Sequence, residues 1–258
     1  TILGLAQKLA QSITRPAPSD PAAGSRWAGT ERERLNRLVR YKPADIRRAW
    51  LVANTKNRGV ETLSFLFETN NGLSADGVLL KSIESAANAP ATIILHDRGK
   101  KEAAAQVSDR VNRGERVLAA DLLFIGEAWK NPTPASYAQI IHGLGERTIG
   151  LQAAQLIALA RWVRATSSNR AVRLEATGMR CQVIALVAAA LQPDLFSDLI
   201  LRESIPSLGH LLEKPVEFSE APELFCLDLY KEFDLNRLAA IAAPVRVTHV
   251  TATGAGSR

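Results

Sequence analysis

Ala91-Thr92-Ile93-Ile94-Leu95-His96-Asp97-Arg98-Gly99-Lys100 decides the fold class. Its first five residues form an apolar run of strand length behind Pro90, the pattern of a strand buried on both faces. Polar residues and a glycine follow at once. Ala103, Ala104, Val107 and Val111 then recur at helical spacing up to Gly114, a residue suited to a helix C-terminus. The same alternation returns downstream: a strand at Val117–Ala120, a long loop through Pro132 and Pro134, and a helix at Ile149–Ala165 with a broad apolar surface. A strand at Val172–Ala176 then leads into a helix ending at Leu191, and further strands are expected at Leu199–Leu201 and Val245–Val250. Repeated strand-helix units predict an α/β fold with a mainly parallel sheet flanked by helices. In such sheets ligands bind beyond the carboxyl ends of the strands.

Upstream the period changes. Ala49–Asn54, Val60–Glu68 and Leu73–Leu80 read as strands, and Asn70-Asn71-Gly72 supplies residues that tolerate positive φ in a tight hairpin, so the N-terminal strands should be antiparallel. A helix over Thr30–Tyr41 carries the capping-box spacing of Thr30 and Glu33. Leu5, Leu9 and Ile13 mark a short amphipathic helix, and the Pro- and Gly-rich stretch Arg15–Gly29 reads as a linker. The expected organisation is an N-terminal helix and linker over 1–29 and one large domain over 30–258, with 204–243 as a lid or cap.

The chain has 258 residues, 47% of them hydrophobic and 22% charged, with mean hydropathy −0.03, which excludes disordered, collagen-like and disulfide-stapled classes. No apolar run has the length of a membrane span. The net charge of +6 gathers early, in Arg26, Arg32, Arg34, Arg37, Arg40, Lys42, Arg47 and Arg48. With 5% aromatic residues and no nucleic-acid module, this reads as a solvated basic helix and not a nucleic-acid surface. Two cysteines without a CxxC spacing give neither a disulfide framework nor a zinc site, and no metal or cofactor is expected. Thr1 opens the chain and the only methionine is Met179, so a processed or longer polypeptide is expected.

Three segments follow the central strands: His96-Asp97-Arg98-Gly99-Lys100, Asp121-Leu122-Leu123-Phe124-Ile125-Gly126-Glu127, and Thr177-Gly178-Met179-Arg180-Cys181-Gln182. In this order they resemble the α/β-hydrolase superfamily, and most of all its acetyl xylan esterase and dienelactone hydrolase-related branches, over most of 49–250. The resemblance implies an oxyanion-hole role for the His96–Gly99 loop and a nucleophile elbow, Gly-x-Ser-x-Gly, at the third segment. The sequence departs from that pattern. One register puts Met179 in the serine's place, the other Arg180, and neither carries a nucleophile. No acid or histidine side chain follows the last strand.

The resulting reading is a catalytically degenerate α/β-hydrolase-like domain, an accessory part of a longer acetyl xylan esterase-like protein, exported by family resemblance. An adjacent esterase domain and a carbohydrate are the partners implied; nucleic acid and membrane are not. One alternative is an active carboxylic-ester hydrolase using Cys181, with His210 and either Glu203 or Asp97 in support. Another is a module binding a sugar or anion through His96, Asp97, Arg98, Asp121, Glu127, Met179, Arg180 and Gln182, where a guanidinium on the elbow could grip a carboxylate in two-pronged fashion. On bland readings Asp97 and Asp121 hold loop amides, Glu127 pairs with an Arg, Cys181 fills core space, His142 sits in a loop, and His249 lies in a core strand.

Overall fold

The computed structural model describes residues 1–15, 21–128, 134–167, 171–226 and 228–250. The apolar runs become strands β4 (Ala91–His96), β5 (Arg116–Asp121), β6 (Val172–Thr177) and β7 (Phe196–Arg202), and β8 (Arg246–Val250) closes the series. Alternate residues of β4 feed two cores. Ile93 and Leu95 join the larger one with Leu118, Leu156 and Leu186, whereas Ile94 joins a smaller one with Val107, Val111 and Val117. A strand covered on both sides has no polar face to show, which is why its sequence reads as a continuous run.

Ahead of these lie β1 (Ile46–Asn57), β2 (Val60–Thr69) and β3 (Ser74–Ser82). The sheet has eight strands in the order β1-β2-β3-β5-β4-β6-β7-β8. Pairing is antiparallel from β1 to β5 and parallel from β5 to β8. Between β2 and β3 the Asn71 side chain accepts the Leu73 N–H at 3.2 Å while Gly72 takes φ +83°, so the hairpin forms where the asparagines and glycine predict it.

Helices α5 (Thr148–Ser167) and α6 (Met179–Leu191) pack on the larger core, with α2 (Pro21–Val39) and α9 (Asp234–Ile241) beside them. Helix α3 (Ala104–Asn112) covers the opposite face. The stretch after β7 carries α7 (His210–Glu213) and α8 (Leu229–Glu232) before α9. Helix α1 (Ile2–Ala10) lies against α7 and is capped by Thr1, whose Oγ1 accepts the Gly4 N–H at 3.1 Å. Among the described residues no helix is long and apolar enough to cross a membrane.

Several expectations need correction. The supposed linker is largely helix, because α2 starts at Pro21; proline is tolerated at a first helical position, and a Cβ at Gly24 or Gly29 would meet no neighbouring atom, so no close approach demands glycine there. Residues 16–20 lie outside the described residues. Thr30 is therefore mid-helix, with its hydroxyl on the Arg26 carbonyl at 3.3 Å, and caps nothing. The loop through Pro134 opens helix α4 (Pro134–Gly143), which carries His142. His249 is exposed on the edge strand β8, not enclosed in a core strand.

Part of the basic helix also works inward. Arg32 donates to the terminal carbonyls of Ala190 at 2.7 Å and Ile241 at 3.2 Å, satisfying orphan acceptors at the ends of α6 and α9. Arg34 binds Glu31 at 2.7 Å and also Glu232.

Candidate functional site at the strand ends

The turn from β6 into α6 is made by Gly178, with φ +92°. Its N–H donates to the Arg202 carbonyl at 3.0 Å, tying the turn to the end of β7. A sharp strand-to-helix turn is where the elbow pattern carries its nucleophile. The residue at positive φ in this turn is Gly178, one before Met179 and two before Arg180, and it carries no side chain. A Cβ at 178 would lie 2.3 Å from Cγ of Asp97. That space is filled because the Asp97 carboxylate accepts the N–H groups of Arg180 at 3.1 Å and Cys181 at 2.7 Å. Asp97 satisfies the free amides of α6 from the neighbouring strand, where its charge also meets the positive end of the helix dipole.

Arg180 does hold a carboxylate in two-pronged fashion, but the carboxylate is Glu223. Its Nε and Nη2 both donate to Glu223, the second at 3.3 Å, and Nη2 also reaches the Phe124 carbonyl at 2.9 Å. The Glu223 side chain is 0% exposed. Burial works against the Arg180 charge, yet the adjoining Glu223 raises its pKa above the ordinary arginine value. Met179 is partly buried against the larger core. Cys181 is fully buried, and burial followed by the charge of Asp97 pushes its thiol well above the usual range. A thiolate is the reactive form, so this environment opposes nucleophilic use. Gln182 spends its amide on the backbone of Ile205, accepting its N–H at 2.8 Å and donating to its carbonyl at 2.9 Å.

A second turn, after β4, is similar. His96 is buried and its Nδ1 accepts the Arg98 N–H at 3.1 Å. Gly99 takes φ +96°, and a Cβ there would lie 2.7 Å from the Gly126 Cα. Asp121 accepts the N–H groups of Lys100 at 2.6 Å and Glu127 at 2.9 Å. The Lys100 ammonium lies among Asp76, Asp121 at 2.8 Å and Glu127 at 2.7 Å. The carboxylates of Asp76, Asp121 and Glu127 are close enough to share a cation, and the ammonium sits among them. Hydrogen bonds from Lys100 and then Lys101 hold Glu127 down to about 2, whereas burial raises Asp76. Glu127 thus pairs with two lysines and not with an arginine.

The remaining candidates lie apart. Arg98 is exposed beside Glu102 at 3.5 Å. Glu203 is exposed at φ +50° just past β7. His210 lines a cavity of about 340 Å³ with Gln7 and Tyr230, and Cys181 is not in its wall. Among the described residues, His96, Asp97, Met179, Arg180, Cys181 and Gln182 line none of five cavities, that of His210 included. Sequence reasoning missed Glu223, Lys100 and Asp76. A buried-lysine signal was available in Gly99-Lys100 at a strand end, but nothing local marks Glu223.

No protein-family model matches the sequence, and no curated protein matches it. Among solved structures, the fold is similar to a Bacteroides fragilis protein provisionally assigned as an acetyl xylan esterase, at 14% identity over 97% of this chain and 74% of that one, with TM-score 0.78. A glucuronoyl esterase from Solibacter usitatus aligns at 13% identity, covering 96% and 82%, with TM-score 0.60. The acetyl xylan esterase of Paenibacillus sp. R4 aligns at 11%, covering 95% and 82%, with TM-score 0.56. The chain has an α/β-hydrolase fold of the kind these esterases share.

Proposed function

We propose that this chain is an esterase-like domain, catalytically degenerate at its elbow, that serves as an accessory part of a longer carbohydrate esterase-like protein of the acetyl xylan type. The observation that carries the reading is the turn at Gly178, which offers no side chain and whose neighbouring space holds the Asp97 carboxylate. An attacking group there would need both a Cβ and the room Asp97 occupies. The nearest thiol, Cys181, is buried and poorly ionised. Arg180, the other side chain of the turn, is committed to Glu223. The elbow thus works as a joint between sheet, helix α6 and the stretch after β7. The carbohydrate assignment and export rest on the structural likeness to esterases named for acetyl xylan and glucuronoyl substrates.

The test is turnover of an aryl acetate by the purified chain beside Cys181→Ala, together with calorimetric titration of an acetylated xylo-oligosaccharide. Any turnover is expected to be the same in both proteins, and the oligosaccharide is expected to bind. A more than tenfold loss in Cys181→Ala would overturn the reading of the elbow, and absence of binding would overturn the carbohydrate assignment.

A further inference from the structure

Away from the elbow, Ser204 Oγ and His249 Nδ1 lie 3.0 Å apart on the exposed carboxyl edge of the sheet. The fold sets this meeting. Parallel pairing of β7 with β8 puts Leu201 opposite His249 and Arg202 opposite Val250, so the histidine stands level with the end of β7. Glu203 then turns the chain through the left-handed region, φ +50°, and presents Ser204. For a glutamate that conformation is strained and persists only where its surroundings hold it. Here they do: Arg202 accepts the Gly178 N–H at 3.0 Å, and Ile205 is bound at both its N–H and its carbonyl by Gln182. Ser204 is therefore fixed from both sides, next to a base and within reach of solvent.

We propose that Ser204 and His249 form a nucleophile–base pair that takes an acyl group from activated esters, at a place separate from the elbow. In the tautomer with its proton on Nε2, His249 accepts the Ser204 hydroxyl proton at Nδ1 as Oγ bonds to the ester carbonyl carbon. Collapse of the tetrahedral adduct breaks the bond to the leaving oxygen, which departs with its electron pair and takes the proton back from His249. The acyl group remains on Ser204 until water, deprotonated by His249, attacks it and releases the carboxylate and Ser204. Good leaving groups, such as aryloxides, define the substrate class.

The test incubates the chain with 4-nitrophenyl acetate, quenches it in acid and locates the acetyl group by peptide mass spectrometry. An acetyl group on Ser204 is expected, absent from Ser204→Ala and formed at least tenfold more slowly in His249→Gln, with Cys181→Ala behaving as the parent. Thermal melting of each variant checks that it is folded. No acetylation of Ser204, or equal rates in folded His249→Gln, would overturn the proposal. The two readings fail separately: label on Cys181 would sink the degenerate elbow, whereas an unlabelled Ser204 would sink this pair and leave the elbow reading intact.

Discussion

The turns after β4 and after β6 share one construction and differ in how they are sealed. Each places a glycine at positive φ immediately before a helical segment, and each takes its capping carboxylate from a neighbouring strand end: Asp121 serves Lys100 and Glu127, and Asp97 serves Arg180 and Cys181. Beyond that they part. After β4, three carboxylates surround one lysine, and the Glu127 side chain remains 43% exposed. After β6, a single guanidinium faces a single carboxylate that is 0% exposed. Water reaches the Glu127 carboxylate at the first turn and not the Glu223 carboxylate at the second, so identical backbone solutions should respond differently to loss of those two groups.

The largest effects should come from the glycines. Gly99→Ala would press its Cβ against backbone at 2.7 Å, Gly178→Ala against a side chain at 2.3 Å, and both add strain at positive φ, so each should cost roughly 4 kcal/mol or leave the chain unfolded. Adding Asp97→Gly should recover part of the Gly178→Ala loss, while no side-chain deletion should rescue Gly99→Ala. Urea denaturation of the double variants decides this, and equal rescue would erase the distinction.

Next comes the ionic seal. Glu223→Ala strands the Arg180 charge, 14% exposed, and should cost about 3–5 kcal/mol. Glu127→Ala should cost under about 1 kcal/mol, because its partner Lys100 keeps Asp121 and Asp76. Urea midpoints of the two variants would have to coincide to break the contrast. Asp97→Asn, which keeps an acceptor but removes the charge at the helix terminus, should cost about 1 kcal/mol, read from its melting temperature.

The smallest effect is in pH. Glu127 is lowered from 4.5 to about 2 by its lysines, so its contribution is fully present above about pH 4.5 and is lost as pH falls through that interval. Because the group is well exposed, solvent screening keeps this under about 1 kcal/mol. Glu127→Gln should flatten the acid side of the stability curve by that amount; an unchanged curve would mean the lysine contacts are not held in solution.

The core strands were legible because burial on both faces leaves an apolar run, as in Ala91–Leu95, and the hairpin because Asn and Gly are residues a tight turn demands. Helix α2 was not, since Pro21, Gly24 and Gly29 argue for a linker by composition while their actual positions are ones a helix tolerates. Side chains alone do not fix the register of the elbow. Aligning side chains favours Met179 or Arg180, whereas the backbone condition, positive φ, points to the only glycine in the segment. Asp97 and Asp121 could be placed near the strand ends, but their amide partners depend on which strands are neighbours, and β5 comes beside β4 only through a crossover. Glu223 lies 43 residues from Arg180, with no periodicity linking them.

Gln182 grips Ile205 through both backbone groups, and Arg180 holds Glu223 a few turns further on. A flap swings from a loose root, and this stretch is riveted at its root and again partway along. Its opening should therefore be cooperative with the melting of the sheet itself, and the amide proton of Ile205 should exchange with deuterium only as slowly as those in the middle of β6.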